Sequence, residues 1–166
     1  MRYFVITIIG IVSFLIQSTI LQHVRIFGVI PNISLIIIVC LSLLAGKKTG
    51  SILGLLLGFL QDIVFFDVIG VHALIYFIIG YLIGLTDKKV FKENLFLPFI
   101  FTIMATFVFH VIYFVFMYFS SINIDFTKLI TNIVVLESIF NSLLSIIFYK
   151  QFLKLYRQPQ ISFGKK

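Results

Sequence analysis

Six apolar stretches joined by short polar, glycine- or proline-bearing segments make up most of this chain, over about residues 3–21, 31–45, 50–66, 71–86, 95–119 and 126–149. About 20 apolar residues cross the hydrocarbon core of a bilayer as a helix. In lipid the backbone can satisfy its own N–H and C=O groups only inside a helix or a closed barrel. A content of 61% hydrophobic and 11% charged residues is far from the roughly 45–50% and 25% of a soluble domain. The expected fold is therefore all-α, a polytopic membrane bundle of six transmembrane helices. It fills residues 1–157 and leaves 158–166 as a basic cytoplasmic tail, with no room for a separate soluble domain. The first stretch is expected to stay in place as a helix: only Arg2 precedes its apolar run, and no small-residue cleavage site follows.

The placement of charge sets the orientation. Arg2, Lys47, Lys48, Lys88, Lys89, Lys92, Lys150, Lys154, Arg157, Lys165 and Lys166 fall at one set of helix ends, and only Arg25 and Lys128 at the other. The positive-inside rule then puts both termini in the cytoplasm and requires an even number of spans. The net charge of +7 is in this reading the charge of a cytoplasmic face that can also touch anionic lipid, and not a nucleic-acid patch. Cys40 is the single cysteine and lies inside an apolar run, so neither an intrachain disulfide nor a cysteine-based metal site can form.

The third stretch carries glycine at every fourth position, Gly46, Gly50, Gly54 and Gly58, and the next step lands on Asp62. Positions four apart share a helix face. Interior glycines cost a helix about 1 kcal/mol each relative to alanine, but in a membrane they let another helix backbone come close. Gly50, Gly54 and Gly58, with Gly80 and Gly84 on the fourth stretch, are therefore candidates for close packing, either inside the bundle or against a partner helix.

Polar side chains inside apolar runs are the remaining signal, because they are expensive in lipid and face protein or water-filled space. Gln17 closes the first stretch, and Gln61 and Asp62 lie near the outer end of the third. Glu137 sits near the middle of the sixth stretch with Asn141 one turn on, and Thr127, Thr131, Ser138, Ser142 and Ser145 add small polar groups. His110 occupies the fifth, with Thr102 and Thr106 behind it at spacing four. Counted from the outer ends of an antiparallel hairpin, His110 and Glu137 lie at depths within about 3 Å of each other at about 1.5 Å per residue. Glu137 is expected to pair with His110 or Asn141, or to be protonated. No nucleophile elbow, phosphate loop, carboxylate pair or metal-ligand cluster is present, so no enzyme activity, cofactor or metal is expected.

Several of these features in order resemble the MreD family, the rod shape-determining membrane proteins of bacteria. They are Gln17-Ser18-Thr19-Ile20-Leu21, Pro31-Asn32, the glycine row followed by Gln61-Asp62, Gly70 with Ala73, and Gly80-Tyr81. The resemblance rests on residues 1 to about 90, and beyond that on length and hydropathy. Asn32 stands where this family often has Asp. The resemblance implies a non-enzymatic scaffold of the cell-elongation machinery in the bacterial inner membrane. Such a scaffold binds the bitopic protein MreC and works with the actin-like MreB, the glycosyltransferase RodA and a transpeptidase, so coupling the cytoskeleton to peptidoglycan synthesis. It also implies a fold similar to the six-helix substrate-capture subunits of energy-coupling vitamin transporters. That keeps open a different role, a small-molecule-binding subunit for uptake, for which Gln61, Asp62 and His72 near the outer face would supply polar groups. A carrier using Glu137 and His110 for protons is a third reading.

Overall fold

The computed structural model describes residues 2–21, 28–65, 68–87, 91–120 and 134–156. Among them are six α-helices and no strand. We label them α1 (Arg2–Ile16, continued by a π-helical turn over Gln17–Leu21), α2 (Ile33–Ala45), α3 (Lys47–Phe65), α4 (Val71–Gly84), α5 (Phe96–Phe119) and α6 (Val135–Tyr156). The protein is an all-α membrane bundle. α3 and α5 are long and apolar enough to cross a bilayer on their own, whereas α2 and α4 are shorter apolar helices.

The short helices are explained by where they sit. α2 contacts every other helix, and Leu35 through Cys40 have no exposed surface. A helix that is apolar all round belongs in the interior. At about 1.5 Å per residue its 13 residues span about 20 Å, less than the hydrocarbon core of about 30 Å. Because its neighbours shield it from lipid, it need not span the full thickness. Its end therefore lies recessed, with polar groups gathered around it.

α3 and α4 are the most tightly joined pair, and the glycine rows are the reason. A Cβ built on Gly54 would lie 2.3 Å from the Tyr76 carbonyl oxygen, one on Gly58 2.3 Å from the Ala73 Cα, and one on Gly80 2.3 Å from the Gly50 carbonyl oxygen. One on Gly84 would lie 2.3 Å from the Lys47 Cα. Gly50 also faces α2, where a Cβ would strike the Ser42 Oγ. The row thus holds α4 in backbone contact and is not open to a partner helix.

Several boundaries differ from the sequence reading. The second stretch is expected to start at about residue 31, but α2 begins at Ile33, because the Asn32 side chain caps it by accepting from the Leu35 N–H at 3.0 Å. Asparagine is among the favoured N-cap residues. Lys47-Lys48-Thr49 are the first turn of α3 rather than a loop, because Gly46 at φ +82° reverses the chain in one residue. α6 continues past 149 to Tyr156, carrying Lys150 and Lys154 on the helix. Tyr149 and Phe152 are buried, and Leu153 and Tyr156 pack against the same core, a helical spacing that keeps one face inside. The expected start of the sixth span at 126, with Thr127 and Thr131, and the tail at 158–166 lie outside the described residues.

The end of the bundle that holds Lys47, Lys92, Lys150 and Lys154 is tied by the turn before α5. Lys92 Nζ donates to the Leu44 carbonyl at 2.9 Å and pairs with Asp87. The Tyr149 hydroxyl donates to the Lys92 carbonyl at 2.9 Å. Toward the opposite end lie the buried Asn32, Gln61, Asp62, His72, Glu137 and Asn141.

Candidate functional site: a polar network around a cavity

Asp62 is fully buried at the end of the glycine row. Gly70, at φ +108°, precedes α4 and offers no side chain to cap it. Asp62 takes over that role from the neighbouring helix. Its carboxylate accepts from the backbone N–H groups of Gly70 (2.8 Å), His72 (3.1 Å) and Ala73 (3.2 Å), and lies 2.7 Å from the His72 imidazole Nδ1. The first N–H groups of a helix have no partner within it, and a carboxylate there also meets the positive end of the helix dipole. The acid that ends the glycine row therefore locks the helix that the row packs against.

The second cluster is centred on Asn141, also fully buried. Its Oδ1 accepts from the Asn32 backbone N–H at 2.8 Å. Its Nδ2 donates to Thr106 Oγ1 and to Glu137 Oε1, both at 3.2 Å. Glu137 Oε2 lies 2.8 Å from His110 Nε2. α2, α5 and α6 are thus tied together at one level. From Asn32 the network goes on: its Nδ2 donates to the Tyr76 hydroxyl at 2.8 Å, and that hydroxyl lies 3.0 Å from Gln61 Oε1. Gln17, at the start of the π-helical turn, accepts with Oε1 from the Ser34 N–H at 2.9 Å and the Ser34 hydroxyl at 3.2 Å, which fastens α1 to the beginning of α2.

These groups surround a cavity of about 360 Å³ lined in part by Gln17, Asn32, Gln61, His72, His110 and Glu137. Each of the six helices, or the cap preceding it, contributes one of these side chains. The remaining wall is apolar or aromatic, from Ile30, Phe65, Phe109 and Tyr113. Of the residues singled out in the sequence, Gln17, Gln61, His72, His110 and Glu137 line the cavity. Asp62 and Asn141 stand behind it as fasteners, and Gly50, Gly54, Gly58, Gly80 and Gly84 lie at the α3–α4 contact. Sequence reasoning passed over Tyr76, which is fully buried and joins Asn32 to Gln61. Its place one turn after His72 on an apolar helix was the available signal. It also left Asn32 without a role, although asparagine ahead of an apolar run is itself a cap signal. Among the described residues no group of three or more His, Cys, Asp or Glu could hold a metal ion.

Asn141→Leu is expected to lower stability by roughly 2–4 kcal/mol, because it leaves a buried Asn32 N–H without an acceptor and removes a donor to Glu137. Thermal unfolding of the purified protein in detergent checks this; an unchanged melting temperature would show the network to be dispensable.

The family model described as rod shape-determining protein MreD matches residues 1–159. No curated protein and no solved structure matches the chain.

Proposed function

The chain belongs to the MreD family of rod shape-determining membrane proteins, and from that premise we propose that it is a scaffold of the bacterial elongation machinery. In this reading it sits in the cytoplasmic membrane with both termini inside. It binds an MreC-like bitopic protein and helps couple MreB, RodA and a transpeptidase to peptidoglycan synthesis. The family match over residues 1–159 carries the proposal. The clustering of Lys47, Lys48, Lys92, Lys150 and Lys154 at one end of the helices supports the orientation. Since α4 fills the glycine row, a partner's helix would be met by outward side chains such as Ile52, Leu56 and Phe59 on α3, all exposed.

The test is affinity purification of C-terminally tagged protein from its native membrane in mild detergent, followed by mass spectrometry. An MreC-like protein and wall synthases are expected. Recovery instead of an energy-coupling transmembrane subunit with its ATPases would replace the scaffold by the uptake reading. In sealed vesicles of the same membranes, before detergent is added, protease should remove the tag only when they are inside-out; removal from right-side-out vesicles would overturn the orientation.

A further inference from the structure

The cavity is built to hold something other than lipid, and its lining defines the chemistry. Its volume of about 360 Å³ falls within the roughly 300–1,000 Å³ of small-molecule pockets. Two primary amides border it with an oxygen engaged: Gln17 Oε1 by Ser34, and Gln61 Oε1 by the Tyr76 hydroxyl, which also lies 3.0 Å from Asn32 Oδ1. Their NH₂ groups have no partner among the described residues, although Gln61 is only 9% exposed. A donor that reaches the cavity is satisfied by water or by a ligand oxygen, whereas hydrocarbon chains offer it no acceptor.

Charge is accounted for elsewhere. The Glu137 oxygens are taken by His110 and Asn141, and the Asp62 oxygens by the α4 N-terminus and His72. The described lining therefore offers no unpaired cation for an anionic ligand and no unpaired carboxylate for a cationic one. The shape is set by the rings of Phe109 and Tyr113, which stack with centroids 5.9 Å apart and planes 11° from parallel, with Phe65 also on the wall. An aromatic wall of this kind favours an aromatic body that can stack on a ring face or meet a ring edge.

We propose that this cavity is a binding site for a small, flat, uncharged molecule whose carbonyl-type oxygens accept from the Gln17 and Gln61 amides while its ring lies against Phe109 and Tyr113. The site goes beyond the scaffold role and does not depend on it.

The chain contains no tryptophan, so Phe65→Trp places a single indole, excitable apart from the tyrosines, on the cavity wall. The probe is 4-nitrobenzamide, a flat neutral amide whose nitroaromatic ring quenches indole emission, added to the full-length protein in detergent. Saturable, one-site quenching is expected, about tenfold weaker when Gln17→Leu or Gln61→Leu removes one hydrogen bond. 4-Nitrobenzoate and 4-nitrobenzylamine should bind at least about tenfold more weakly, since a charge would enter without a partner. Quenching that stays linear in probe concentration, equal affinity in folded glutamine variants, or equal binding of the charged analogues would each overturn the proposal. Should Gln61→Leu fail to fold, the partly exposed Gln17 carries the comparison.

Discussion

Gly54→Ala is expected to abolish accumulation of folded protein, whereas Gly10→Ala is expected to be tolerated. The difference lies in what the added methyl meets. At Gly10 the nearest atoms are the ends of flexible side chains, Leu53 Cδ1 at 3.2 Å and Leu57 Cδ2 at 3.4 Å, which can turn aside. At Gly54 they are backbone, the Tyr76 carbonyl oxygen at 2.3 Å and its carbon at 2.6 Å. No rotamer change relieves that contact, so α3 and α4 must move apart as rigid rods. Separation there also loosens the contacts at Gly50–Gly80 and Gly58–Ala73, and shifts Tyr76 away from Asn32 and Gln61. Overpacking costs about 1–3 kcal/mol where surroundings can yield; here they cannot, and the loss should exceed the top of that range, against less than about 1 kcal/mol at Gly10. Fluorescence-detected size-exclusion chromatography of tagged variants after graded heating reads both. A Gly54→Ala protein with the wild-type melting temperature would sink this account of the glycine row. If it then failed to capture partners, the row would have to be reassigned as a partner surface.

How much of this was legible in the sequence depends on the range of each interaction. The glycine row declared itself because its spacing equals the helix repeat. The nearness of His110 to Glu137 followed from counting residues along a hairpin, and the Glu137–Asn141 bond from a spacing of four. Hydropathy located the helices but could not say which one was central. Ile36 on α2 is shielded completely while Ile52 on α3 is 60% exposed, yet both are isoleucines in apolar runs. Lipid and protein interior are equally apolar solvents, so composition cannot separate them. The cavity was least legible of all. It forms where residues from six segments come to the same level, and its polar groups stand as far apart in the chain as Gln17 and Glu137. Asp62 shows the same limit from the other side. Its burial cost was evident from the sequence, and an outer-interface carboxylate was the obvious reading; its partners became known only once α4 was seen to start beside it.

That role makes Asp62→Ala the second change of large effect. The substitution leaves the N–H groups of Gly70, His72 and Ala73 and the His72 imidazole without their acceptor. His72 and Ala73 are 3% and 2% exposed, so water reaches them poorly. Loss of an N-cap alone costs about 0.5–2 kcal/mol, and each buried donor left unsatisfied about 1–3 kcal/mol. A total on the order of 4 kcal/mol is expected, enough to unfold many proteins of ordinary stability. Asp62→Asn separates charge from geometry. Its single carbonyl can still accept from one or two of the N–H groups, but it cannot serve the helix dipole and the imidazole as a carboxylate does, so it should fall between the wild type and Asp62→Ala. Amide hydrogen exchange localises the effect: protection should be lost first at residues 70–75, at the start of α4, and only afterwards in α2. If Asp62→Asn matched the wild type in both melting temperature and exchange, the carboxylate charge would be irrelevant and hydrogen bonding alone would hold α4. If Asp62→Ala matched it as well, α4 would be held by the glycine contacts alone, and the acid at the end of the row would need another explanation.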